Sequence, residues 1–242
     1  MFLPYMKKFI NFILNLIFPI QCLSCGREDE WLCFNCLDKI KKINQLQKVC
    51  PICNREGFSN GQTCPECKNN FCLDKVFITA NYENELIQKL IKNFKYNFIK
   101  DLRIPIAEIM LDFFNQINLI NKLPLINFVV LPSPITKKRR RWRGFNQAEL
   151  LAEIIAKKLN LSYLPDLITK NKNTQEQAEL SRKKRLVNVQ GSFSLNCQDS
   201  IASKNFLIID DVITTGATLG ELAKVLKDNG AKKIWGLVIA KN

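Results

Sequence analysis

A chain of 242 residues, 47% hydrophobic and 24% charged, has room for one large domain and a smaller one. Its unusual features are a formal net charge of +14, ten cysteines and not one histidine. The missing histidine excludes Ser-His-Asp and Cys-His hydrolases, two-histidine zinc proteases and every mechanism with a histidine general base.

In chain order, the first element is the run KKFINFILNLIFP, basic at its start and apolar after it. Asn11 and Asn15 interrupt the apolar part, it is too short to span a bilayer, and no small-x-small cleavage site follows. Gln21 stands before Cys22 where a lipoprotein signal needs a small residue. Phe9, Ile10, Ile13, Leu16 and Ile17 recur at helical spacing, so an amphipathic helix on the protein's own core is expected within residues 1–20. The alternative is a helix lying on a membrane surface. The expectation is a cytoplasmic protein without a transmembrane segment, its thiols reduced, with a peripheral seat at the inner membrane face as the alternative.

Nine of the ten cysteines lie in the first 72 residues; only Cys197 falls beyond. Eight of them form four CxxC pairs: Cys22 with Cys25, Cys33 with Cys36, Cys50 with Cys53, and Cys64 with Cys67. A CxxC pair is a knuckle with both thiolates on one side, and two knuckles close a tetrahedral zinc shell with no open position. Residues 21–72 are therefore read as a double zinc ribbon holding two structural Zn²⁺, with Cys72 left over. Sequential pairing is the simpler topology; the spacing also allows a crossed one. A segment this small buries too little surface to fold alone, and the metal supplies much of its folding free energy. LDKIKKINQL, after Cys36, is expected to be a helix joining the two sites.

From residue 73 to 242 strands and helices alternate, the pattern of an α/β domain with a mostly parallel sheet. KVFITANY alternates like a strand, and ELIQKLIKNF and PIAEIMLDFFNQI read as amphipathic helices. LINFVVLP is a continuous apolar run suited to a central strand buried on both faces. FNQAELLAEIIAKKLN is a helix with Asn146 as N-cap and Glu149 three positions on. Residues 205–240 read as strand, loop, helix, Gly230 as C-cap, and strand, a complete βαβ unit.

That unit carries the sharpest chemistry. Four apolar residues, Phe206 to Ile209, end in Asp210 and Asp211 at the carboxyl edge of a strand, where open α/β sheets bind ligands. Thr214, Thr215, Gly216, Ala217 and Thr218 follow, small and hydroxyl-bearing, so their backbone N–H groups can surround a phosphate. Thr218 and Glu221 match a capping box that would start a helix with its positive end at the same place. Phosphate on the loop and sugar hydroxyls on the aspartates describe a ribose 5-phosphate binder. A Walker B reading of the same strand needs a GxxxxGK[ST] loop, and the sequence has none.

LIIDDVITTGAT resembles the phosphoribosyl pyrophosphate signature of type I phosphoribosyltransferases. The chain as a whole resembles the ComF family of competence-related proteins, through its apolar start, double zinc ribbon, LIKNFKY segment, RGFNQAELLA block and the T-x-x-Q-x-x-L-x-x-x-x-R-x-x-N stretch from Thr174 to Asn188. The resemblance implies a type I phosphoribosyltransferase-like sheet flanked by helices. It implies that Asp210 and Asp211 bind the ribose hydroxyls in the catalytic site and that Thr214, Thr215, Gly216, Ala217 and Thr218 form the 5-phosphate loop. It implies a pyrophosphate loop after the strand ending at Leu131, a closing hood around residues 170–190, and substrate contacts from Arg143, Gly144, Asn146, Gln147 and Arg185. Mg²⁺, held mainly by substrate oxygens, is implied with it. Lys170 and Lys172 stand where the family usually has arginines, keeping charge but losing the bidentate fork. Pro-Ser-Pro replaces the commoner Pro-Val-Pro after the strand, a change expected to matter little.

Six cations crowd the seven residues from Lys137 to Arg143, around Trp142, and four more run from Arg182 to Arg185. A solvated loop, a pyrophosphate clamp and a single-stranded nucleic-acid track with Trp142 as stacking platform compete for the first run. Its place after the strand favours anion binding, with substrate phosphate and DNA backbone not separable by sequence. Two functions are therefore expected. One is Mg²⁺-dependent transfer of a phosphoribosyl group from phosphoribosyl pyrophosphate to a nitrogen acceptor; the other is a non-catalytic single-stranded DNA-binding adaptor of the DNA-uptake machinery, its zinc ribbon docking a partner such as a competence helicase.

Overall fold

The computed structural model describes residues 19–43, 48–121, 125, 127–172, 188–196 and 201–242. The expected N-terminal helix lies almost wholly outside these residues, and Cys197, Arg182, Lys183, Lys184 and Arg185 lie outside them entirely.

The large domain is a five-stranded parallel sheet in the order β1-β7-β6-β2-β3. The strands are β1 (Lys75–Asn81), β2 (Phe128–Pro132), β3 (Ser162–Tyr163), β6 (Asn205–Ile213) and β7 (Lys233–Lys241). All five residues of β2 are buried, as its unbroken apolar run requires. The middle position nevertheless belongs to β6, between β7 and β2. β4 (Ile168–Lys170) and β5 (Phe193–Leu195) form a separate antiparallel pair.

The helices are α1 (Phe34–Ile43), α2 (Pro65–Phe71), α3 (Glu85–Tyr96), α4 (Arg103–Asn121), α5 (Lys137–Arg143), α6 (Gln147–Leu159) and α7 (Ala217–Asp228). In the large domain the expected helices form where their apolar spacing placed them, with Asn84 capping α3 through Leu86 N at 2.9 Å and Asn146 capping α6 through Ala148 N at 3.2 Å. The basic run is itself a helix, α5, not a loop. The Thr136 hydroxyl accepts from Arg139 N at 3.3 Å, Gly144 closes the helix at φ +77°, and Arg140 pairs with Glu149 of α6 at 2.9 Å.

The sheet divides two apolar cores. On one face Trp235, Leu237 and Ile239 of β7 meet Phe77, Phe114 and helices α3, α4 and α6; Phe77 packs edge-on to Phe114 and to Trp235, at 5.2 and 5.8 Å between ring centres. On the other face Ile234 and Val238 meet α7 and the β4–β5 pair. Cys22, Cys33 and Cys36 belong to the first core, and Cys50, Cys64 and Cys67 to the second. The two ribbons therefore sit against opposite faces of one sheet. Asp74 ties the second ribbon down: its carboxylate accepts from Ile234 N at 2.9 Å and from Lys68 of α2 at 2.8 Å. Among the described residues no helix is long and apolar enough to cross a membrane.

Candidate functional site

The eight paired cysteines form two separate clusters, Cys22, Cys25, Cys33, Cys36 and Cys50, Cys53, Cys64, Cys67, within each of which the sulfurs lie within 4.8 Å of one another. The pairing is sequential, not crossed. Cys25 and Cys33 sulfurs are 3.6 Å apart, as are those of Cys53 and Cys64. Four thiolates about 2.3 Å from a tetrahedral Zn²⁺ lie about 3.8 Å from each other, so the donor set fits that ion. Backbone N–H groups point at the sulfurs, Cys33 N at Cys22 and Cys64 N at Cys50, both at 3.4 Å, which favours the thiolate forms that a metal needs. With four protein ligands each, the clusters leave no position for a reacting water and are structural.

The second site is built at the carboxyl end of β6. Asp210 and Asp211 lie one after the other just before the strand ends, held by local bonds: Asp211 N donates to Asp210 Oδ1 at 2.9 Å and Val212 N to Asp211 Oδ1 at 2.6 Å. Lys95, at the end of α3, pairs with Asp211 Oδ1 at 2.8 Å, and both side chains are less than a fifth exposed. Burial, and then the charge of Asp211, push the Asp210 carboxyl up to about 7, against the Asp211 N–H, Lys95 and a hydrogen bond from the Ser133 hydroxyl, which favour its charged form. Asp211 thus has a lysine partner, while the Asp210 carboxyl is pushed up toward neutral pH.

The chain then turns through Thr214, Thr215 and Gly216 into α7. Gly216 stands at φ +81°, a left-handed conformation that glycine adopts without strain, and is the N-cap. Thr215 is buried and its hydroxyl accepts from Ala217 N at 3.4 Å. The capping box expected from Thr218 and Glu221 does not form. Thr218 lies inside the helix, and Glu221 instead accepts from Gly191 N at 2.6 Å, on the segment before β5. The first intrahelical bond runs from Gly220 N to Gly216 O at 2.8 Å. The earlier N–H groups of α7 therefore face the loop, beside the positive end of a twelve-residue helix. Backbone donors at the positive end of a helix are an arrangement that can hold an anion.

Around it lie groups from three other segments. Ser133, 5% exposed, donates its N–H to Ile209 O at 2.8 Å, and its own carbonyl accepts from Asn146 Nδ2 at 3.0 Å. Asn146 thus joins the head of α6 to the strand end that carries the aspartates. Gln147 and Arg143 are buried and bond to each other at 2.7 Å, and Gln147 also reaches Phe94 O at 3.5 Å. Together with Gly144, they lock α5, α6 and the end of α3 around the site. Lys170 at the end of β4 stands over the Phe193 ring; burial and then the Arg139 charge push its ammonium down to about 8, while Asp210 pulls the other way. Lys95, Ser133 and the packing of the second ribbon described below escaped the sequence reading. Lys95 lies in the LIKNFKY segment, but nothing local marks it as the partner of a residue 116 positions later.

Residues 146–242 match the Phosphoribosyl transferase domain family and residues 13–68 the Double zinc ribbon domain family. The chain is 29% identical over 231 residues to Competence protein F of Haemophilus influenzae, covering 92% of this chain and 98% of that protein. It is 26% identical over 206 residues to DNA utilization protein YhgH of Escherichia coli O157:H7, covering 78% and 89%. With Competence protein ComFC of Bacillus subtilis the identity is 30% over 216 residues, 87% of this chain and 83% of the relative. A double zinc ribbon on a parallel α/β domain, matched along most of its length to competence proteins of this kind, places the chain in the ComF family.

Proposed function

We propose that the β6–α7 site binds phosphoribosyl pyrophosphate and that the protein serves the handling of incoming DNA, the role that the names of its competence and DNA-utilization relatives suggest. The observation that carries the ligand is the coincidence of a glycine-capped loop, a helix N-terminus and paired carboxylates at one strand end. The 5-phosphate rests on the N–H groups of residues 215–218, and the ribose hydroxyls donate to Asp210 and Asp211. Asp211 is engaged by Lys95, and among the described residues only the cysteine clusters gather three or more ligating side chains. Mg²⁺ would therefore enter on the pyrophosphate and ribose oxygens, where it supplies charge neutralisation of the leaving group.

In the transfer, the bond from ribose C1 to the pyrophosphate oxygen breaks, the oxygen keeps the electron pair, and a nitrogen acceptor bonds to C1 and gives up a proton to solvent. The protein's part is positioning and electrostatics. Asp210 and Asp211 orient the sugar, and Lys170 and Arg139 lend positive charge near the carboxylates. Calorimetric titration with phosphoribosyl pyrophosphate and Mg²⁺ tests the reading: the wild type binds, and Asp210→Ala with Asp211→Ala does not. A wild type that gives no heat overturns it.

A second reading has its own observation. Trp142 is 59% exposed, its ring 5.4 Å and edge-on to Phe98, with Tyr96 also exposed and Arg143 between Tyr96 and Trp142. Lys137, Lys138, Arg140 and Arg141 lie on the same helix, α5, and are exposed. Aromatic faces amid cations suit single-stranded DNA, whose binding would then fall steeply with salt. Trp142→Ala should weaken it at every salt concentration, and Arg140→Gln with Arg141→Gln should flatten the salt dependence. A slope that charge removal does not change rejects the DNA track.

A further inference from the structure

We propose that the second zinc ribbon positions the phosphate loop, with Ile52 as the positioning residue; this rests on the phosphate-site reading above. Ile52 lies between the ligands Cys50 and Cys53 and is 3% exposed. It packs against the glycine that starts α7: a Cβ at Gly216 would stand 3.5 Å from Ile52 Cγ2 and 3.7 Å from its Cδ1 and Cγ1. Ile52 shares its core with Ile213 and Ala217, the residues on either side of the loop.

Two further contacts act in the same place. Lys241, the last residue of β7 and the neighbour of Ile213 in the sheet, donates to Ile52 O at 3.1 Å and to Asn54 Oδ1 at 2.5 Å. Phe71, at the end of α2, lies so close to Gly220 that a Cβ there would fall 2.5 Å from its ring. The ribbon thus grips the strand end before the loop, the glycine within it and the first turn of helix after it. The knuckle itself is braced by Cys50 N donating to Arg55 O at 2.7 Å and Asn54 N to Cys50 O at 2.9 Å. A loop of short side chains whose N–H groups must converge on one phosphate has little of its own to hold it. The metal-braced knuckle supplies that rigidity from outside the sheet. The first ribbon belongs instead to the core of the opposite face.

The test compares the wild type with Ile52→Ala, Lys241→Met and, as a control in α1 of the first ribbon, Ile40→Ala. Zinc per chain is measured by mass spectrometry, ribose 5-phosphate binding by calorimetry, and amide exchange of residues 216–219 and 206–209 in the free protein. Ile52→Ala and Lys241→Met should keep two zinc ions, lose affinity about tenfold, and exchange faster at 216–219 than at 206–209. Ile40→Ala should leave affinity unchanged. If Ile52→Ala loses zinc, Lys241→Met, which removes no apolar core residue, decides the matter. Wild-type affinity in Lys241→Met and in any Ile52→Ala that keeps its zinc overturns the coupling, as does faster exchange spread equally through 206–209. A wild type that ignores ribose 5-phosphate overturns the phosphate site itself, and the coupling with it.

Discussion

The hydroxyl of Ser133 is one of the groups that favour the charged form of Asp210. It donates to Asp210, whose carboxyl burial and the neighbouring Asp211 have pushed up to about 7. A hydrogen bond to a charged group contributes about 1.5 kcal/mol at the low end of its range, and one pH decade of ionisation corresponds to about 1.4 kcal/mol. Ser133→Ala should therefore raise the Asp210 midpoint by about one more pH unit, to about 8. At pH 7 the ionised fraction falls from about half to about a tenth, so a ligand whose hydroxyls need that carboxylate loses about fivefold in affinity. By pH 9 both proteins are almost fully ionised and the difference disappears. The assay is ribose 5-phosphate titration from pH 6 to pH 9, read as the ratio of variant to wild type. That ratio cancels the ligand's own phosphate ionisation and the discharge of Lys170 near pH 8. A loss that is the same at every pH would mean that Ser133 only packs the site, and no loss at pH 7 would mean that Asp210 ionisation does not gate binding.

The same raised carboxyl makes a stability prediction of definite sign. A group whose midpoint is higher folded than unfolded stabilises most below its unfolded value and loses that contribution as pH rises through about 7. Asp210→Asn should raise Tm by about 5 °C at pH 8, change it little at pH 4, and abolish ribose binding; a fall in Tm at pH 8 refutes it. Lys95→Met leaves Asp211 buried without its partner at 2.8 Å, and should cost about 3 kcal/mol in denaturant midpoint experiments above pH 7. A cost under about 0.5 kcal/mol would put this pair among the surface pairs of no consequence. Cys36→Ser and Cys67→Ser should each lower bound zinc from two ions per chain to one; retention of both would break the assignment of four thiolates to each ion.

What the sequence disclosed was what local spacing can carry. The CxxC pairs and the strand-loop-helix of residues 205–228 declare themselves because their chemistry is written in neighbouring residues. Helix α5 did not, since six cations in seven residues repel each other and, after a strand, read as an anion-binding loop. It forms because Thr136 caps it, Glu149 neutralises Arg140, and Arg143 is drawn inward to Gln147 and between two rings. The capping box failed for the same kind of reason: Glu221 has a better use bonding to Gly191 from another segment, and a glycine at positive φ starts the helix instead. Ser133, expected to matter little, turned out to touch Asp210 because the turn after β2 lies beside the end of β6. Lys95, Ser133 and Ile52 reach the site across more than seventy residues of chain each, and no spacing rule spans that distance.

The net charge of +14 looks different once its parts are placed. Four thiolates and one Zn²⁺ leave two negative charges per cluster, so the loaded protein carries about +10. The cations near the site fall into two sets with different work. Lys95 and Lys170 are withdrawn from solvent among the carboxylates, where a point charge acts strongly and its loss is costly. Lys137, Lys138, Arg140 and Arg141 stand in water on α5, where each pair is worth little but their summed field draws in anions. Salt separates the two sets, because screening over about 8 Å at physiological ionic strength weakens the exposed charges and leaves the buried ones almost untouched. Ribose 5-phosphate affinity should therefore fall severalfold between 50 and 300 mM salt, through its association rate and not its dissociation, and Lys137→Gln with Lys138→Gln should reduce that dependence without changing dissociation. An association rate indifferent to salt would leave α5 with no part in bringing the anion to its loop.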